Sequence, residues 1–401
     1  MSYIGPRHKF ETVRGVQQFG VRLANERAVL SLVALNPGMS SAELARESGL
    51  GPQTVSRILS DLEHGGFVRR GDVRRGMRGQ PATPFFLEAR SAFCIGCEIG
   101  WRSCTVEMVD MFGQVLGKHR WDYAFPDART IFTEVGSVAR LLTAILPDSE
   151  RHRLLGIGVA SPSSIARNID LMGGSPADAA AWRDIDVAEQ IEAATGLPAS
   201  IHNDGNVACW GELGVMPMPR PASFAYFLIG TFIAAGIVAE STLWEGPTGN
   251  SANLGSMIIT DRHGQHNFVH LIASIMALET KLFAAGVPVP PGNPVDWDWA
   301  TLEPHASEWI DEAGEALAKA VVNTAAVIEF NLAVIDGVMP RPIVERMVES
   351  VRFHGRELPA LTADRPTIVT GHLGAEAPAR GAAMLPMFRR FFARDWEHFT
   401  K

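Results

Sequence analysis

The segment "IHNDGNVACWGELG", residues 201–214, sets Asn203 and Asp204 side by side at the end of a short strand-like piece, "LPASIH", expected to be buried. An aspartate at such a point has two readings. It can be a general base that draws a proton from a hydroxyl held in a cleft. It can instead make an Asx turn or cap a helix, because a short oxygen-bearing side chain satisfies the free amides there. A second candidate is the C-x-x-C of Cys94 and Cys97, but it lies inside the apolar run "AFCIGCEIG" and reads as buried strand rather than as a redox or metal site. A third is "DRHGQHNFVH", where Asp261, His263, His266 and His270 have side chains suited to zinc or nickel. Three histidines in a polar loop leading into a helix suit a solvated, pH-sensitive surface better, so neither metal nor cofactor is expected.

Such groups act only where folded elements hold them. The 401 residues exceed one ordinary domain and allow two or three. With 46% hydrophobic and 20% charged residues the composition is that of a soluble globular protein. No apolar run approaches the ~20 residues of a membrane span, and "MSYIGPRHKFETVRG" lacks the hydrophobic segment of a secretory signal, so a cytoplasmic location is expected. Four cysteines in so long a chain make no disulfide framework. Charge is unevenly spread. Residues 1–90 carry 13 Lys+Arg against 8 Asp+Glu, net +5, and the remainder 23 against 36, net −13. A basic head on an acidic body implies that the head meets a polyanion.

The head supports that reading. "ANERAVLSLVALN" has a helical apolar pattern that stops at "NPG". "SSAELARESGL" follows, with Ser40 and Glu43 at capping-box spacing and Gly49 at its end. "GPQTVSRILSDLEHGG" carries Pro52 in its first turn and an apolar stripe of Val55, Ile58, Leu59 and Leu62. Its opposite face presents Gln53, Thr54, Ser56 and Arg57, donors of the kind that read base edges in a major groove. By itself this could be only a solvated helix face. Two strand-like pieces near "GFVRRG" and "TPFFLEA" then flank an arginine- and glycine-rich loop with Arg69, Arg70, Arg74, Arg75, Arg78 and Gln80, which has the form of a wing laid on DNA. The order of these parts is that of a winged helix-turn-helix.

Beyond residue 90 strand-like and helix-like segments alternate. "SAFCIGCEIGWRSCTVEMVDMFGQVLGKHRW" reads as an antiparallel meander, "RLLGIGVAS" and "SFAYFLIGTFIAAGIVAES" as buried strands, and helices are expected at about 129–146, 185–195, 268–285, 306–333 and 379–395. The linked segments "GIGVASP", "AAAWRDIDVAEQIEAATGLPASIHNDGNVACWGE", "LIGTFIAAGIV", "GPTGNSANLGSM" and "GAAML" behind such a head resemble the ROK family of repressors, open reading frames and sugar kinases. The resemblance implies an α/β, two-subdomain actin-like ATPase body of ribonuclease-H type. The implied boundaries are 1–88 for the DNA-binding head, 89–204 for a first subdomain completed by a C-terminal helix at about 379–401, and 205–378 for a second.

In family members that are kinases, the aspartate of the "ND" pair is the general base, and Asp204 matches it. The family's first phosphate loop has two glycines after its acidic residue; here "EIGWRS" puts Trp101 and Arg102 after Glu98 and Gly100. The second loop is "GTFIAAG", with Phe232 and Ala234 where the family has glycines. Trp101 and Phe232 should therefore fill the phosphate cradle. The sugar-holding Glu and His of the family become Asn253 and Ser256, its distal glutamate aligns with His270, and the zinc site lacks its cysteines because none follows Cys209. The resemblance thus implies a regulator, expected to be a repressor of carbohydrate-related genes and not an enzyme. Its site residues would be Asn203, Asp204, Asn253, Ser256 and His270 for a sugar-type effector. Its partners would be a double-stranded operator with an inverted repeat and a second copy of the chain, as a homodimer or tetramer. Two alternatives stay open: an active sugar kinase that also binds DNA, and a ligand-independent DNA-binding protein.

Overall fold

A computed structural model describes residues 18–73, 82–163, 165–359 and 364–393. These fall into two compact units, a head ending at Glu88 that also includes Phe391–Ala393, and a body from Ala89 to Arg390. In the head, α1 (Gln18–Leu35), α2 (Ser41–Ser48) and α3 (Pro52–His64) precede a two-stranded antiparallel ribbon of β1 (Val68–Arg70) and β2 (Phe85–Leu87). The capping box forms as its spacing requires: Glu43 N–H donates to Ser40 Oγ, and the Glu43 carboxylate accepts from the Ser40 amide. Gly49 takes φ +67°, a left-handed value that lets α2 end and the chain turn into α3. Val55, Ile58, Leu59 and Leu62 are all buried, together with Leu30, Val33 and Leu44 from the first two helices.

The body is built on two five-stranded sheets. The first contains β3 (Phe93–Ile99), β4 (Ser103–Asp110) and β5 (Val115–Asp122) as the expected meander, followed by α4 (Ala128–Ile145) and β6 (Leu154–Ser161). After α5 (Ile165–Asn168), α6 (Pro176–Asp184) and α7 (Val187–Thr195), β7 (Ala199–Asn203) joins the edge, giving the order β5-β4-β3-β6-β7. β6 and β7 run parallel to β3. Then come α8 (Asp204–Val215), β8 (Phe224–Ile229), β9 (Ile233–Ala239), β10 (Thr242–Leu243) and a small hairpin of β11 (Ile258–Thr260) and β12 (His266–Phe268). α9 (His270–Ala273), α10 (Ile275–Ala284), α11 (His305–Ala325), β13 (Leu332–Gly337), α12 (Arg341–Glu357), β14 (Thr367–Thr370) and α13 (Ala377–Phe391) complete the chain. The second sheet has the order β10-β9-β8-β13-β14.

Glycines let α13 and α8 approach closely. A Cβ on Gly96 or Gly158 of the first sheet would lie 2.0 or 1.9 Å from the carbonyl oxygens of Ala379 and Ala382, and one on Gly381 would lie 1.6 Å from that of Val207. Backbone therefore packs on backbone, which explains the small residues of "GAAML".

Three expectations need correction. "LPASIH" gives an edge strand rather than a buried one, with Ile201 40% exposed. The helix expected through residue 333 stops at Ala325, and Leu332–Gly337 forms the central strand β13, because "LAVIDG" is a sandwiched parallel strand whose opening apolar run, "LAVI", mimics a helix continuation. The segment 268–285 is two helices, since Ser274 adopts extended φ/ψ and its side chain accepts from Ala277 N–H to cap the second.

Candidate functional site

On α3, Gln53, Ser56 and Arg57 are exposed and Thr54 half-exposed, opposite the buried apolar stripe. This is the geometry that a major-groove reading helix needs. Arg74, Arg75, Arg78 and Gln80 of the wing loop lie outside the described residues.

In the body, a cavity of about 1070 Å³ opens between the two sheets. Asn203, Asp204, Asn253, Ser256 and His270 all line it, so residues spread over 68 positions of sequence converge, together with Glu98, Trp101 and Phe232. Asn203 and Asp204 divide the roles that the sequence left open. Asn203 is the N-cap of α8, its side chain accepting from Asn206 N–H at 3.1 Å, whereas Asp204 is the first helical residue. Asp204 Oδ1 accepts from the N–H of Gly205 at 2.9 Å, and burial pushes its carboxyl up to about 6. Gly205 and Gly236 let α8 lie against β9: a Cβ on Gly205 would fall 2.2 Å from the Ala235 carbonyl oxygen. That close packing brings Asp204 to the loop that carries Phe232.

At one end of the cavity the wall is closed by contacts between the two sheets' loops. The rings of Trp101 and Phe232 meet edge to face with centroids 4.9 Å apart, and Phe232 meets the His270 imidazole at 5.7 Å. Trp101 is 8% exposed. The Arg102 guanidinium makes a two-pronged ion pair with buried Glu279 on α10, one prong at 2.7 Å. Arg120 on β5 donates to the Asn293 side chain, whose own amide donates to Asp122 at 2.8 Å. Phosphate-cradling backbone would need to stand clear at Trp101 and Phe232, and here two aromatic rings occupy that wall.

The other end is polar and open. Asn250 Oδ1 accepts from Ser163 Oγ at 2.8 Å and from the Asn203 amide at 3.4 Å. His270 Nδ1 accepts from Ile233 N–H at 3.0 Å, which leaves the proton on Nε2, 3.3 Å from Ser256 Oγ. Burial drops the His270 imidazolium to about 4, so the ring is neutral near pH 7. Gly255 makes room for it, since a Cβ there would sit 2.2 Å from the ring.

The remaining candidates have local roles. Asp261 accepts from the amides of His263 and Gln265, and His266 Nδ1 lies 3.4 Å from Thr260 Oγ1, so the loop histidines and His270 engage separate partners. Cys94 and Cys97 are buried in β3, and the sulfur nearest to Cys97 is that of Cys104 at 3.9 Å rather than its C-x-x-C partner. Asn250, Arg120 and Asn293 carried no local signal. They reach the cavity only because remote segments fold together.

A model of the ROK family matches residues 94–387, and one of the MarR family matches residues 19–79. A MarR-type helix-turn-helix head joined to such a body defines a DNA-binding regulator. The chain belongs to the ROK family. It is similar to the uncharacterized protein y4fQ of Sinorhizobium fredii, 26% identical over 92% of both chains. It is also similar to the xylose repressor of Bacillus subtilis, 23% identical over 60% of this chain and 61% of that one. Among solved structures, a ROK family transcriptional regulator described as a homolog of the E. coli MLC protein matches with a TM-score of 0.70 and 19% identity, covering 92% of this chain and 98% of the other. A ROK family glucokinase of Streptomyces griseus, solved with glucose and AMPPNP, matches with a TM-score of 0.55 and 18% identity over 73% of this chain and 99% of its own. These likenesses bear out the two-part α/β architecture. No helix among the described residues is long and apolar enough to cross a membrane.

Proposed function

We propose that the protein is a sequence-specific transcriptional repressor of carbohydrate-related genes, acting in the cytoplasm, whose kinase-like body has become a non-catalytic effector sensor and dimerisation module. The observation that carries this reading is the Trp101–Phe232 contact across the phosphate-loop positions, beside an open polar end lined by Asn203, Asp204, Asn253, Ser256 and His270. An aspartate base does nothing for phosphoryl transfer unless phosphates are held in line with the hydroxyl. Freed from that task, Asp204 serves as an acceptor for an effector's polar hydrogens. Effector binding shifts the angle between the two subdomains, 89–204 and 205–378, and through it the spacing of paired heads on an inverted repeat.

Two experiments test the reading. Fluorescence-anisotropy titrations on operator and scrambled DNA at several salt concentrations should show Arg57→Ala losing about 1–3 kcal/mol on the operator alone, while Arg75→Ala weakens both DNAs and lowers the salt slope. If both variants bind the operator as wild type does, the assigned DNA surface is wrong. In a coupled assay with ATP and a panel of hexoses and aminosugars, turnover above background that disappears in Asp204→Asn would overturn the loss of catalysis.

A further inference from the structure

Charge is balanced unequally around the cavity. The Arg102 guanidinium on its wall is paired with Glu279, and that of Arg120 donates to Asn293 and lies 3.5 Å from the Asp122 carboxylate, its buried Nε having no hydrogen-bond acceptor among the described residues. Arg167, the remaining cation of the lining, is exposed to solvent, where salt screens it. The carboxyls of Glu98 and Asp204 have no such partner. Among the described residues neither lies within ion-pair distance of a cation, and Asp204 accepts from backbone amides at the start of α8. Glu98, at the end of β3, faces Asp204 from α8, Arg120 from β5 at longer range and Glu107 from β4, with Cys104 and Tyr123 behind it. Removing an ionised carboxylate from water without a counter-charge costs several kcal/mol, so such a group keeps its proton instead. Burial accordingly pushes Glu98 up to about 8, against about 6 for Asp204.

An anionic ligand would meet two acids, while Arg102 and Arg120 already lie against carboxylates of the chain. A neutral polyol would find hydrogen-bond partners in Asn250, Ser256 and His270 but would leave the acid pair without charge compensation. A cation would supply it, and the Trp101 and Phe232 rings that line the same cavity add a favourable π surface. We infer that the effector is a polyhydroxylated compound carrying a protonated amine, held between Glu98 and Asp204, with its hydroxyls paired to the neutral side chains of the open end. This rests on the reading of the body as an effector sensor. Binding displaces the Glu98 proton to solvent, so complex formation near pH 7 releases up to one proton.

The test uses the full chain and three ligand series, gluco, galacto and manno, each as the free sugar, the 2-amino sugar and the 6-phosphate, with an aminocyclitol added. Isothermal titration calorimetry at pH 7 in two buffers of different ionisation enthalpy reads affinity and proton release together. In at least one series the amine should bind about tenfold or more tighter than its hydroxyl congener, with proton release, and the phosphate should bind weakest. Glu98→Gln should bring amine and hydroxyl congeners within about threefold of one another and should abolish proton release. Tighter binding of a neutral or phosphorylated member, or an amine preference that survives in both Glu98→Gln and Asp204→Asn, would overturn the inference and leave the sensor reading intact. If no member binds and none changes operator affinity, the sensor reading falls as well.

Discussion

At the closed end of the cleft, Trp101, Phe232 and the Arg102–Glu279 pair bury their surface against one another; at the open end, Asn250, Asn253 and Ser256 remain exposed around a neutral histidine. The first end spends its side chains on one another, and the second leaves polar side chains exposed on the cavity wall. In a kinase both ends would hold ligand. On the proposed function, aromatic side chains at one end and polar side chains at the other would let such a cleft keep recognition without group transfer.

The comparison predicts a graded set of stability effects. The largest belongs to Trp101→Ala, which removes a buried ring and should cost about 3–5 kcal/mol in urea unfolding monitored by circular dichroism. A loss under about 1 kcal/mol would mean the closed end is not packed as described. Next, Arg102→Ala leaves the buried Glu279 carboxylate without its partner and should cost about 1–3 kcal/mol, a penalty that Glu279→Gln in the same background partly relieves.

Glu98 gives a pH-dependent effect of comparable or smaller size. Its native carboxyl is raised from 4.5 to about 8, so the folded state binds more protons than the unfolded one between those values. Its contribution is therefore intact below about pH 4.5 and is lost as pH rises toward 8, at a cost on the order of 1–3 kcal/mol. Thermal melts should show Glu98→Gln gaining on wild type steadily from pH 5 to pH 8, and a parallel pair of curves would contradict the assignment. A double-mutant cycle between Trp101 and Phe232 should return about 0.5–1.5 kcal/mol of coupling for their edge-to-face contact. The smallest effect is at the open end, where Ser256→Ala and Asn253→Ala should each stay within about 0.5 kcal/mol of wild type in the same unfolding experiment.

Much of this was legible one segment at a time. The capping box, the polar face of α3 opposite its apolar stripe, the antiparallel meander and the aromatic substitutions in two glycine loops are local patterns, and local backbone preferences enforce them. Where local pattern misled, the cause was equally physical. "LAVIDG" follows a long helix and opens with four apolar residues in a row, so periodicity could not separate a sandwiched parallel strand from more helix. The "ND" pair looked like a cap or a base, and only the backbone of α8 shows that Asn203 is the cap and leaves the Asp204 carboxylate free to face the cleft.

By itself the sequence determined the two-part architecture, the reading helix and the identity of the residues at each loop, because these depend on composition, spacing and hydrogen bonds between near neighbours. Tertiary structure decided which of those residues share a charge. Arg102 finds Glu279 across 177 positions and Arg120 finds Asn293 across 173, while Glu98 and Asp204 meet the same cavity with no cation at ion-pair distance among the described residues. No pattern along the chain encodes such pairings, since they arise only when packing across two sheets removes the groups from water and makes an unpaired charge costly.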